Sequence, residues 1–175
     1  MTGKTYISAE ELVRDSFTLA RRIYDSGFRP EIVVVLWRGG TPIGIVVHEF
    51  LLYKGISTYH TVLKAESYDG QTQLPKPHIE HLDAVLDVVG RESRVLVVDD
   101  IFDTGRTMET VLTALRTRTD HVRTATLYRH TRTRQSGREP DYFLRETDRW
   151  IVFPHELVGL TEEEIRRKKI GRAHV

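Results

Sequence analysis

The sequence predicts an α/β domain built on a mostly parallel twisted sheet flanked by helices. Three observations predict it. Glu31–Trp37 (EIVVVLW) and Arg94–Val98 (RVLVV) are continuous apolar runs rich in β-branched residues, the pattern of strands buried on both faces. Segments of helical and strand character alternate along the chain, as parallel strands joined by helical crossovers require. Both apolar runs stop abruptly in polar, turn-forming residues, Arg38-Gly39-Gly40-Thr41-Pro42 after the first and Asp99-Asp100 after the second. A chain of 175 residues fits a single domain spanning 1–175 and buries roughly 70% of its unfolded surface.

The elements follow in order. Ser8-Ala9-Glu10-Glu11 is a capping-box pattern, and the apolar residues Leu12, Phe17, Leu19, Ala20 and Ile23 continue it to Gly27, which predicts a first helix over about 8–26. Glu31–Trp37 is the first strand, a helix over about 42–53 ends before Gly55, and Ile56–Leu63 is the next strand. Lys64–Pro77 is polar and carries Gly70, Pro75 and Pro77, which predicts a long loop of the kind that often serves as a lid. His81–Val89 reads as a short helix, Arg94–Val98 as a strand, Thr107–Arg118 as a helix and Arg123–Tyr128 as a strand. Thr131–Pro140 is basic loop, Trp150–Phe153 a last short strand, and Thr161 caps a charged C-terminal helix. In such sheets ligands sit beyond the carboxyl ends of the strands, which directs attention to residues 37–42, 99–107 and 129–131.

Composition narrows the function. Lys and Arg total 26 against 25 Asp and Glu, a net charge of +1, so nothing argues for bulk nucleic-acid or membrane binding. With no cysteine, disulfides and thiolate zinc sites are excluded. The N-terminal segment lacks the apolar core of a signal peptide, and no stretch approaches the ~20 apolar residues of a membrane span. A cytoplasmic protein with no membrane or nucleic-acid partner is expected.

Val95–Met108 (VLVVDDIFDTGRTM) carries the most chemistry. A buried strand delivers two carboxylates to its tip, a third follows, and Thr-Gly-Arg-Thr leads into a helix. Backbone N–H groups in a turn before a helix form an anion site, helped by the helix dipole. Thr104 and Thr107 add hydroxyls, and Gly105 lets a phosphate approach the backbone. Carboxylates beside a phosphate site make sense if they hold ribose hydroxyls or a Mg²⁺ ion.

This string resembles the phosphoribosyl pyrophosphate (PRPP) signature of type I phosphoribosyltransferases: four apolar residues, two acids, two variable residues, then Asp-Thr-Gly-x-Thr. The resemblance covers about 30–157, the core of the domain, and owes little to the first helix or the tail after Leu157. It implies that family's fold, with a small base-binding hood. It also implies PRPP contacts from Asp99 and Asp100 to the ribose hydroxyls, with Mg²⁺ as cofactor. Asp103, Thr104, Gly105, Arg106 and Thr107 would wrap the 5′-phosphate, with Asp103 as the catalytic general base. Trp37-Arg38-Gly39-Gly40 resembles the pyrophosphate loop, placing Arg38 and Gly39 on PRPP after a cis Trp37–Arg38 peptide. Ser67 and Tyr68 resemble the family's lid.

Trp150–Glu156 (WIVFPHE) resembles the base-binding segment of xanthine-guanine and hypoxanthine phosphoribosyltransferases. By that likeness Trp150 stacks on a purine, Ile151 reaches its C2 edge, and Glu156 joins Asp99 and Asp100 at the metal. His130 stands where the family usually carries a lysine for the purine O6, with Arg129 beside it, and His155 replaces a common aromatic residue. The function implied is transfer of phosphoribose from PRPP to a 6-oxopurine (hypoxanthine, guanine or xanthine), giving the nucleoside 5′-monophosphate and pyrophosphate in purine salvage. A homo-oligomer is expected from the same resemblance. Three alternatives stay open: another base, a PRPP-sensing regulator that binds RNA or DNA through the arginine-rich stretch 129–138, and a receiver domain, which also sets an acid pair at a strand end.

Overall fold

A computed structural model describes residues 3–69, 72–131 and 139–168. The elements run β1 (Lys4–Tyr6), α1 (Ala9–Asp25), β2 (Ile32–Trp37), α2 (Thr41–Tyr53), β3 (Tyr59–Asp69), β4 (Thr72–Glu80) and α3 (Leu82–Val88). They continue as β5 (Val95–Phe102), α4 (Arg106–Leu115), β6 (Val122–His130), β7 (Tyr142–Thr147), β8 (Trp150–Val152) and α5 (Glu162–Arg167). Six strands form the main sheet in the order β4-β3-β2-β5-β6-β7. Only the β3–β4 pair is antiparallel.

The apolar runs are continuous because both faces of the central strands are covered. Val33 and Val35 of β2 and Leu96 and Val98 of β5 join a core with Leu19 and Ile23 of α1 and Val47 and Leu51 of α2. The alternate residues, Ile32, Val34, Leu36, Val95 and Val97, join a second core with Val85 of α3 and Val111 and Leu115 of α4. Successive side chains of a strand point to opposite faces, so one run feeds two cores. Each such burial contributes roughly 1.5–3 kcal/mol. The capping box of α1 forms as expected: Ser8 Oγ accepts from the Glu11 N–H at 3.1 Å, and the Glu11 carboxylate accepts from the Ser8 N–H at 2.8 Å.

From β2 the chain crosses through α2 to β3 on one side, then returns through α3 to β5 on the other side. The topological switch point therefore lies between β2 and β5. Their register sets Val35 opposite Val98, so the loop after β2 lies against Asp100 in the extension of β5, which runs on to Phe102.

Three expectations need correction. Lys64–Pro77 is not a loop over its length: β3 runs on to Asp69 and pairs with β4, Lys64 opposite Glu80 and Asp69 opposite Thr72. β4 is an edge strand, where proline is tolerated because one side of its backbone needs no ladder bond; Pro75 and Pro77 sit there. The lid side chains of Ser67 and Tyr68 lie outside the described residues, as does most of the arginine-rich stretch, 132–138. The second correction is β7, a strand not predicted, in which Tyr142 and Leu144 pack on the core and Arg145 and Glu146 follow. It is held by the β6 ladder and by a bidentate pair from Arg145 Nε and Nη2 to the buried Asp15 carboxylate, at 3.1 and 3.0 Å. The third is that β8 stands apart from the main sheet and pairs in parallel with β1, Lys4 opposite Trp150. This small β1–β8 sheet is the hood.

Candidate active site

Two loops meet at the switch point. The Trp37–Arg38 peptide is cis, as the resemblance implied. A Cβ on Gly39 would lie 2.0 Å from Asp100 Oδ2, and one on Gly40 would lie 2.5 Å from the Val98 carbonyl oxygen. Real Cβ atoms do not come that close, so only glycine lets the loop after β2 pack against the acid pair. Helix α2 begins at once, with Pro42 in its first turn and no side-chain cap. Thr41 Oγ1 is buried there with no hydrogen-bond partner among the described residues.

The strand expected to stop at Val98 runs on to Phe102, so Asp99 and Asp100 sit half-buried within the second half of β5. Burial pushes the Asp99 carboxyl well above the usual aspartate range, and the neighbouring Asp100 charge adds to it. Burial, then the Glu156 charge, pushes Asp100 up to about 7. Neighbouring acids raised in this way in a cleft are candidates for function. Beyond them, Gly105 takes the left-handed conformation at φ +71° and starts α4 without a side-chain cap. Asp103 and Thr104 are exposed around it, and the Arg106 N–H points at Thr104 Oγ1 at 3.5 Å. This turn sets the first backbone N–H groups of α4 just past β5, the position at which N–H groups at a helix start can serve an anion.

A cleft of about 360 Å³ opens beside the acid pair, lined by Asp100, Ile101, Asp103, His130, Asp148, Arg149, Trp150, Ile151, Phe153 and Glu156. It gathers Asp100, Asp103, His130, Trp150, Ile151 and Glu156 into one space, while Arg38, Gly39, Asp99 and Thr104–Thr107 are not among its lining residues. Trp150 is 64% exposed and lines the cleft, whereas Ile151 is buried. Phe153 and Glu156 close a reciprocal turn: the Phe153 N–H donates to Glu156 Oε2 at 3.0 Å, and the Glu156 N–H donates to the Phe153 carbonyl at 3.1 Å. His155 stacks on Phe153 with centroids 5.7 Å apart. Burial lowers its basicity, against the opposing pull of Glu156.

Arg129 is not at the base. Its guanidinium lies 4.5 Å over the Phe143 ring and pairs with Glu139 and Glu146, on the β7 side. Strand alternation turns His130 into the cleft and Arg129 away from it. Three residues of the site were missed. Asp148 and Arg149 line the cleft; their position directly before Trp150 was the available signal. Lys168 donates its ammonium to the Phe153 carbonyl at 2.6 Å and to the Glu156 carbonyl; nothing in the local sequence marks it.

A doubly wound sheet that sets a glycine loop against an acid pair, with a glycine turn and a helix start just beyond, is the arrangement of the phosphoribosyltransferase class. The chain belongs to the phosphoribosyl transferase domain family, whose pattern matches residues 4–158, and it is an enzyme of that class. It is 31% identical over 160 residues to the xanthine-guanine phosphoribosyltransferase of Cereibacter sphaeroides, covering 87% of this chain and 86% of that one. It is 31% identical over 173 residues to the enzyme of the same name from Desulfotalea psychrophila, covering 97% and 94%. Among solved structures, the purine phosphoribosyltransferase of Pyrococcus horikoshii superposes with a TM-score of 0.72 at 26% identity, covering 91% of this chain and 98% of that one.

Proposed function

We propose that the enzyme transfers phosphoribose from PRPP to N9 of a 6-oxopurine (hypoxanthine, guanine or xanthine), releasing pyrophosphate. One observation carries this reading: a single cleft unites Asp103, His130, the exposed Trp150 and Glu156 beside the Asp99–Asp100 pair. The flat indole suits a stacked base. His130 donates one hydrogen bond to the carbonyl at C6. Ile151 offers backbone to the C2 edge. Asp103 takes the proton from the base nitrogen. Arg38 and the glycine loop receive the departing pyrophosphate, and the Asp103–Thr107 cradle holds the 5′-phosphate, so catalysis rests on positioning and charge stabilisation.

Mg²⁺ fits the donor set. Among the described residues no group of three or more His, Cys, Asp or Glu is placed to hold a metal ion. Asp100 and Glu156 nevertheless bring hard oxygen donors to the cleft, with Asp99 beside Asp100 on β5. Mg²⁺ takes one or two carboxylates and completes its shell with water and substrate phosphates. When bound, it would neutralise charge on pyrophosphate.

A dimer or larger oligomer also fits. Helix α2 is apolar on its outer side, with Ile45 60% and Tyr53 81% exposed, and uncovered apolar faces of this kind mark protein interfaces. No described helix is long and apolar enough to cross a membrane, which is compatible with action in the cytoplasm.

The deciding experiment offers hypoxanthine, guanine, xanthine, adenine, uracil and orotate to the purified protein with Mg²⁺ and PRPP, reading pyrophosphate release. Turnover confined to the 6-oxopurines is expected. Turnover on another base alone would replace the substrate, and PRPP binding without any turnover would favour a regulator.

A further inference from the structure

We propose that Lys168 is a positioning residue of the cleft: its ammonium clamps the Phe153–Glu156 turn and so holds the Glu156 carboxylate toward the Asp99–Asp100 pair. The inference rests on the reading of Glu156 as part of the Mg²⁺–pyrophosphate site.

The geometry is specific. Lys168 follows α5, yet its Nζ bonds none of that helix's carbonyls. It reaches back to the carbonyls of Phe153, at 2.6 Å, and of Glu156. These residues bracket the turn that the Phe153 and Glu156 backbones close on each other. An ammonium has three donors, so it can bridge both ends of one turn, which a neutral side chain of similar length cannot. Lys168 forms no ion pair with a carboxylate among the described residues. Its charge therefore stays beside a cleft walled by Asp100, Asp103, Asp148 and Glu156.

Docking of α5 does not need this contact. Thr161 and Glu164 form a capping box. Glu164 also takes the Lys4 ammonium at 2.5 Å and the Tyr6 hydroxyl at 3.0 Å, tying α5 to β1. The helix is anchored at its start, which leaves Lys168 free to act on the site.

The test is calorimetric titration with Mg²⁺–PRPP, beside steady-state kinetics with guanine, for wild type, Lys168→Met, Lys168→Arg and Lys4→Met. Lys168→Met is expected to raise both Kd for Mg²⁺–PRPP and the half-saturating Mg²⁺ concentration about tenfold, the scale of one hydrogen bond to a charged group. Lys168→Arg should recover most of that loss, and Lys4→Met should show less than about a twofold change, since a surface ion pair contributes little. An unchanged Kd in Lys168→Met would overturn the proposal. So would an equal rise in Lys4→Met, which loosens α5 with the Lys168 ammonium still present. If wild type binds Mg²⁺–PRPP but turns over no purine, the substrate reading fails and the binding comparison still decides Lys168. If wild type does not bind Mg²⁺–PRPP, both fail.

Discussion

The phosphate side and the base side of the cleft are built by different means. Arg38–Gly40 follows β2, and Asp103–Gly105 follows β5 just past its acid pair, on two adjacent strands whose alternate faces feed two cores. Each loop is short, local in sequence and seated on the most buried part of the molecule. The base side is assembled from β1, β8 and α5, so its bonds join Lys4 to Glu164 and Lys168 to Phe153. Several of those bonds are exposed or half-exposed. The difference teaches that the proposed phosphate side is rigid and tolerates little, whereas the proposed base side sits on a lightly braced hood that substitutions can retune.

Asp103→Asn should have the largest effect because it removes the proposed proton acceptor and leaves the cradle backbone in place. A fall in kcat of about 10²–10⁴-fold is expected, with PRPP affinity nearly unchanged in calorimetry. An unchanged kcat would remove Asp103 from the mechanism. Gly39→Ala comes next. Its Cβ would sit 2.0 Å from Asp100 Oδ2, so loop and acid pair must separate, and kcat/KM for PRPP should drop about 100-fold, the scale of an ångström of misplacement at a reacting centre. A mild effect would break the claim that the phosphate side is rigid.

On the hood, Trp150→Ala should raise KM for the base about tenfold, as loss of one aromatic stack does. KM for PRPP should stay close to wild type. Equal changes in both constants would erase the distinction between the two sides.

The smallest effect concerns pH. The folded carboxyl of Asp100 titrates near 7, above the ordinary aspartate range, so between those values the native state holds a proton that the unfolded chain has released. That contribution to stability is present in acid and is lost as pH rises through about 7. Tm of the free protein should therefore decline over that window, and the decline should shrink in Asp100→Asn. Added Mg²⁺–PRPP should stabilise the wild type more at pH 8 than at pH 6, because the ion competes with the proton.

Much of the fold was legible because its signals are local. Continuous β-branched runs can only be two-faced strands, and the Ser8–Glu11 box marks a helix start whatever surrounds it. The β3–β4 pairing, β7 and β1 were not legible, since edge strands owe their form to the neighbour they join. Base recognition divides in the same way. Trp150 and His130 stand at readable places, but only strand alternation on the folded sheet sends Arg129 to Glu139 and Glu146 and leaves His130 at the cleft.

By itself, then, the sequence determined the class of sheet, the acid pair, the glycine loop and the glycine turn that starts α4, because each is a short stretch whose chemistry follows from adjacent residues. Tertiary structure alone decided that β8 leaves the main sheet for β1, that Asp148 and Arg149 face the cleft, and that Lys168 reaches the turn before it. The β1–β8 pairing joins residues 146 positions apart, Lys4 to Trp150, and the Lys168 contact joins residues 12 apart, and no local pattern encodes which distant backbone a side chain will meet once two cores have set the strands in place.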